Sequence, residues 1–133
     1  YKIGHYNRNY KLVIDPNLVF STYSSSDVDN WGNTACYDTE GNLYAGSTVF
    51  EFTRSVFSRD ASFIFTYGAY QQSFQGGDTD MGIIKINSSG TNALYATYFG
   101  GTGTEVPISM ITNDKNELYI LSVTSSRFPP KIL

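Results

Sequence analysis

An all-β chain built from a repeated unit of short antiparallel strands is what this sequence predicts, and three observations carry the expectation. Strand-favouring aromatics are abundant, with eleven Tyr and nine Phe among 133 residues, whereas charged residues make up only 16%. No segment reads as a helix: the longest candidate, 51–65, carries β-branched and aromatic side chains where Ala, Leu, Glu or Lys would be needed. Third, the chain repeats itself. Asn17-Leu18-Val19-Phe20-Ser21-Thr22-Tyr23 recurs as Asn92-Ala93-Leu94-Tyr95-Ala96-Thr97-Tyr98, and at the same offset of 75 residues Asn42-Leu43-Tyr44-Ala45-Gly46-Ser47 matches Glu117-Leu118-Tyr119-Ile120-Leu121-Ser122.

The elements follow in order. Residues 1–16 read as the end of a preceding β-rich domain or a linker, 17–91 as a first repeat and 92–133 as a second, incomplete one. Within the first repeat, 18–23, 33–37 and 42–48 are expected strands. The last two are joined by Asp38-Thr39-Glu40-Gly41, which has turn chemistry at both ends. The apolar stretch near 49–65 reads as an inserted hairpin, 49–55 against 62–67, with Arg59-Asp60-Ala61 in the turn. Residues 81–87 form the fourth expected strand, and Asn87-Ser88-Ser89-Gly90 turns the chain into the second copy, whose first strand is 93–98. Four short antiparallel strands per repeat are what one β-propeller blade contains, so about two blades of a larger propeller are expected.

At this point the sequence resembles the SBBP repeats of bacterial surface proteins. The resemblance rests on residues 18–23, on Asp38-Thr39-Glu40-Gly41-Asn42-Leu43-Tyr44-Ala45-Gly46, on Gly68-Ala69-Tyr70-Gln71, on Phe74-Gln75-Gly76-Gly77-Asp78, and on residues 93–98 followed by Phe99-Gly100-Gly101, in that order. Two departures stand out: 47–67 is longer and more apolar than the family's connector, and 24–28 lacks the glycines of 100–103. The segment Tyr10-Lys11-Leu12-Val13-Ile14-Asp15-Pro16 looks like the end of the domain that precedes such repeats in large proteins of the Bacteroidetes type. The resemblance implies a secreted or cell-surface location, type IX secretion, and a gliding or adhesion role. It also implies that the chain, which opens on Tyr1 rather than Met, is a segment of a larger protein whose remaining blades are its partners.

Several function classes lose support on composition. A net charge of −3, with scattered Lys and Arg, leaves no basic face for a nucleic acid. No run approaches the roughly 20 apolar residues of a membrane helix, and no N-terminal stretch reads as a signal peptide. Cys36 has no second cysteine to pair with and sits in an expected strand, where it reads as a small buried hydrophobe. His5, the one histidine, lies in a polar run and reads as a surface residue, leaving nothing from which to build a Ser-His relay.

Gly100-Gly101-Thr102-Gly103-Thr104 superficially suggests a phosphate loop, but neither Lys-Ser nor Lys-Thr follows it, nor does a helix. Asp27, Asp29, Asn30, Asp78 and Asp80 are the oxygen donors best suited to Ca²⁺. The Gly and Glu of an EF-hand loop are absent, so solvated turns are the expected reading. No catalytic pair stands out among carboxylates such as Asp38, Glu40, Asp78 and Asp114, whose expected role is to bond turn backbone N–H groups. Tyr23, Tyr44, Tyr98 and Tyr119 recur with the repeat, which favours packing over sugar platforms. A non-enzymatic scaffold without cofactor is therefore the expected function, with a lectin-like, polysaccharide-binding module second and a glycan-active hydrolase fragment a distant third.

Overall fold

The computed structural model describes residues 5–11, 18–24, 26–50 and 63–127. Among these there is no helix, and six strands form two antiparallel sheets. β1 (Asn30–Tyr37), β2 (Leu43–Val49), β3 (Asp80–Ile86) and β4 (Ala93–Phe99) follow one another across the first sheet, and β5 (Glu105–Thr112) pairs with β6 (Leu118–Thr124) in the second. The first sheet thus takes three strands from the first expected repeat and its last strand from the second.

The offset of 75 residues survives as geometry. Both ends of β5 and β6 fall 75 positions after the ends of β1 and β2, and both hairpins carry a bulge at the same place, between Gly32 and Thr34 and between Pro107 and Ser109. Their turns match bond for bond. Asp38 Oδ1 accepts from the N–H groups of Glu40 and Asn42, and Asn113 Oδ1 from those of Lys115 and Glu117. Each turn closes with one residue at positive φ, Gly41 at 79° and Asn116 at 62°. The amide and the carboxylate trade places between copies: Asn42 Nδ2 donates to Asp38, whereas Asn113 Nδ2 donates to Glu117. Replacing Gly41 by alanine is expected to cost about 1 kcal/mol, because an L side chain in the left-handed region is strained. Replacing it by asparagine, the residue the second copy uses, should cost only a few tenths. Urea midpoints of the two variants check this.

One expected strand is absent. Residues 18–24 form no strand, and Leu18, Val19 and Tyr23 are more than 80% exposed. Among the described residues the segment has no partner strand. β4 is held by β3, which precedes it in the chain, but the segment 75 residues before β3 is the polar run 5–11, which forms no strand either. Phe20 instead folds onto the main core beside Gly90. Of the hairpin expected at 49–67, residues 51–62 lie outside the described residues. Residues 63–66 form no strand but flank β4, with Thr66 N–H donating to the Ala96 carbonyl at 3.0 Å.

Alternation assigns the faces of the first sheet. One face carries Val49, Ile84, Ile86, Ala96 and Tyr98, covered by Phe63 and, less tightly, by Phe20, Val28, Ile64 and Phe74. The opposite face carries Thr34, Tyr44, Gly46, Ile83 and Lys85, and the β5–β6 hairpin lies on it. Met110 reaches down onto Gly46, where a Cβ would stand 3.0 Å from its Sδ and 3.1 Å from Thr34 Cγ2. A side chain at 46 would therefore press on both, and glycine lets the hairpin approach closely.

Candidate functional site

The most elaborate arrangement of polar groups lies at the junction of the two sheets. Asp38 begins the β1–β2 turn with its side chain fully buried, and Lys85 reaches it from β3 with Nζ 2.9 Å from Oδ2. Lys85 also lies 4.8 Å above the Tyr44 ring, and the Tyr44 hydroxyl donates toward Asp38 Oδ2 and the Asn116 carbonyl. Burial alone would push the Asp38 carboxyl upward, yet hydrogen bonds from Asn42 and Lys85 outweigh it and hold the group well below the usual carboxylate range. Lys85 is held above its ordinary value by Tyr44 and then Asp38, against the opposing effect of burial. Tyr95, packed edge-on to Tyr44, is pushed up to about 12 by burial. Burial, and then Asp38, also raises the Cys36 thiol on the same face. The charged forms of Asp38 and Lys85 are thus both favoured, and their ion pair ties the β1–β2 turn to β3.

Around this cluster the second hairpin is attached by polar contacts. Thr39 donates through both its N–H and its hydroxyl to Asn116 Oδ1, at 3.1 and 2.8 Å. Met110 N–H donates to the Thr34 hydroxyl at 3.1 Å, and the Thr112 hydroxyl donates to the Tyr37 carbonyl at 2.7 Å.

The glycine-rich loop after β4 serves Glu105. The Gly101 N–H donates to Glu105 Oε2, and the Thr124 and Ser126 hydroxyls donate to Oε1 at 2.7 and 2.6 Å. The N–H groups of Gly100, Gly103 and Thr104 are taken by Gln71, Ser126 and Ser125. Four of the loop's N–H groups, those of Gly100, Gly101, Gly103 and Thr104, are thus taken by the protein's own oxygens rather than turned to a phosphate. Burial opposes ionisation of Glu105, but these bonds hold its carboxyl below the ordinary value. Its stabilisation is therefore present at neutral pH and is lost as the pH falls below the unfolded value near 4.3. Glu105→Gln is expected to lose about 1 to 3 kcal/mol at pH 7 and clearly less at pH 3, as denaturant titrations at the two pH values would show.

An open groove of about 600 Å³ runs between Tyr70 to Ser73, Gln75 and Gly100 to Thr102. Tyr70, half exposed, stacks on Phe99 at 5.8 Å. Gln71 and Gln75 are committed to Ser73, Asp80 and Gly100.

The five Ca²⁺ candidates are not brought together. Asp27 and Asp29 are exposed, Asn30 bonds the Val28 carbonyl, and Asp78 accepts from Thr104. Asp80 is buried under the groove, accepting from the Gln75 N–H and the Gln71 amide. Asn30 and Asp80 sit two strands apart, both opposite Val49. Among the described residues no group of three or more His, Cys, Asp or Glu could hold a metal ion. The recurring tyrosines divide: Tyr44 and Tyr98 are buried at 2% and 1% exposure, while Tyr23 and Tyr119 are open. His5 is exposed, and Cys36 is half buried in β1.

Sequence reasoning missed Lys85 and Glu105. The signal for Lys85 was one charge in the otherwise apolar Met81-Gly82-Ile83-Ile84-Lys85-Ile86, a pattern that implies a buried counter-ion. Glu105 gave none, because β5 shares no identical residue with β1. No family model, curated protein or solved structure matches the chain. Among the described residues no helix is long and apolar enough to cross a membrane.

Proposed function

We propose that the chain is a non-enzymatic interaction scaffold, part of a propeller-like repeat array in a secreted or cell-surface bacterial protein with an adhesion or gliding role. The observation that carries this reading is the docking of one repeated hairpin on another. β5–β6 reproduces the bulge and turn of β1–β2 and lies on its sheet through side chains of that same motif. Such stacking makes a rigid body from which loops are displayed. The likeness to SBBP repeats supplies the cellular setting, and the fixed charges of Asp38, Lys85 and Glu105 favour a structural role for the most buried polar groups.

Beads coated with the protein, passed over polysaccharide-coated and bare surfaces under flow, test the reading. Retention without release of reducing sugar is the expected result. Sugar release would overturn the non-enzymatic reading, and the absence of retention on every surface would overturn the adhesive one. The groove beside Tyr70 favours a lectin-like second reading, because an exposed ring backed by Phe99 offers a stacking face for a sugar. On that reading Tyr70→Ala abolishes retention on polysaccharide alone, whereas a scaffold that binds elsewhere retains it.

A further inference from the structure

We propose that two copies of this chain associate head to tail, the exposed face of the β5–β6 hairpin of one copy receiving the β1–β2 hairpin of the next. The inference rests on the repeat reading and on the geometry of the internal junction, not on the adhesion role: the second copy takes the place that a further repeat takes in an array. Within the chain, the face of β1–β2 that carries Thr34, Tyr44 and Gly46 is covered by β5–β6. The offset of 75 residues maps these positions onto Ser109, Tyr119 and Leu121, all exposed, with Leu121 at 64% and its neighbour Val123 at 59%. The second hairpin therefore presents outward the face that its own first copy buries.

The complementary surface is open as well. The residue that docks onto Gly46 is Met110, and its counterpart in the first hairpin is Ala35, which is exposed on the far face of β1 beside Tyr37, itself 76% exposed. Size complementarity is kept by exchange. Inside the chain a large Met110 meets Gly46, and between chains a small Ala35 meets Leu121, so a short side chain again faces a long one.

Polar positions carry over in part. The Thr34 hydroxyl that accepts the Met110 N–H becomes the Ser109 hydroxyl facing the Ala35 N–H, on the side of β1 away from β2. The Tyr44 hydroxyl that reaches the Asn116 carbonyl becomes the Tyr119 hydroxyl facing that of Gly41. The bonds made by the Asn116 and Thr112 side chains have no counterpart, because Gly41 and Tyr37 stand in their places. The contact between chains is accordingly weaker than the one within, and concentration-dependent. A contact that joins two different faces is heterologous, so it propagates or closes into a ring rather than stopping at a two-fold dimer.

Sedimentation velocity from micromolar to about 1 mM, the range in which weak contacts populate, tests the proposal. The mass should rise with concentration beyond a dimer. Leu121→Lys blocks one end and Ala35→Lys the other, and each should weaken association about a hundredfold by burying an uncompensated charge. Both sites are exposed, so far-UV circular dichroism should match the parent chain; Val123→Lys replaces Leu121→Lys if that variant does not fold. The two variants mixed in equal amounts retain one intact junction and should form a dimer and nothing larger. A monomer throughout, association that survives either lysine, or a mixture that does not pair would each overturn the proposal.

Discussion

Replacing Lys85 by methionine is expected to lower the stability of this protein by about 3 to 5 kcal/mol, since removing one partner of a buried ion pair leaves the other charged and uncompensated. Asp38 is fully buried, and Lys85 is its one salt-bridge partner among the described residues. Urea titration at neutral pH measures the loss. Lowering the pH should then separate the two proteins. In the parent the Asp38 carboxyl is held below its ordinary value, so its stabilisation is present above about pH 4 and drains away as the pH falls further. In the variant the unpaired carboxyl takes up its proton sooner, and the difference between the proteins shrinks on acidification. Lys85, held above its ordinary value, contributes at every pH below about 10 and loses its share as the pH rises through its folded value. Adding Asp38→Asn to Lys85→Met should recover much of the loss, because no buried charge then remains at the turn. A neutral-pH loss under 1 kcal/mol for Lys85→Met would mean that the Asn42 and backbone donors suffice on their own.

Truncating Phe63 to alanine is expected to cost a similar amount, about 3 to 5 kcal/mol, through lost burial and the cavity left behind. Phe63 is 1% exposed, packs edge-on against Tyr98 with ring centroids 5.6 Å apart, and its N–H donates to the Tyr98 hydroxyl at 2.7 Å. Its ring occupies the space that Gly82 leaves open. A Cβ at 82 would stand 2.7 Å from Phe63 Cζ and from Val49 Cγ2. Gly82→Ala in the parent should therefore lose about 1 to 3 kcal/mol by overpacking. In the Phe63→Ala background the same change should cost less, because the clash with the ring is gone and Val49, which still stands 2.7 Å from the new Cβ, has the vacated volume to move into. The double-mutant cycle reads this coupling directly. Additive losses would show that the segment 63–66 does not lean on the sheet at Gly82.

Both effects arise where distant parts of the chain meet: the sequence marks Lys85 as a charge in an apolar strand but names neither its partner nor that of Phe63. Local signals were legible. The alternating, β-branched and aromatic stretches at 33–37, 42–48, 81–87 and 93–98 became β1 to β4 with their ends shifted by a few residues at most, because a strand needs little more than its own side-chain pattern. Turn chemistry was legible for the same reason: Asp38 bonds the N–H groups two and four residues ahead of it, an interaction contained within the loop. The offset of 75 residues was legible as matching letters, and it returned as matching bulges and turns.

Pairing, facing and ionic partnership were decided by the tertiary structure. The segment 18–23 has the letters of β4 but, among the described residues, no strand beside it, so the same local pattern gives a strand in one place and an exposed path in the other. Tyr44 and Tyr119 hold equivalent positions, yet one is buried and the other open, because a hairpin covers the first and nothing described covers the second. Lys85 and Asp38 are far apart in sequence and adjacent only because β3 pairs with β2. By itself the sequence determined the kind of elements and their period, which depend on interactions within a few residues. The structure decided which faces meet and which charges pair, because burial depends on what long-range packing places opposite each side chain.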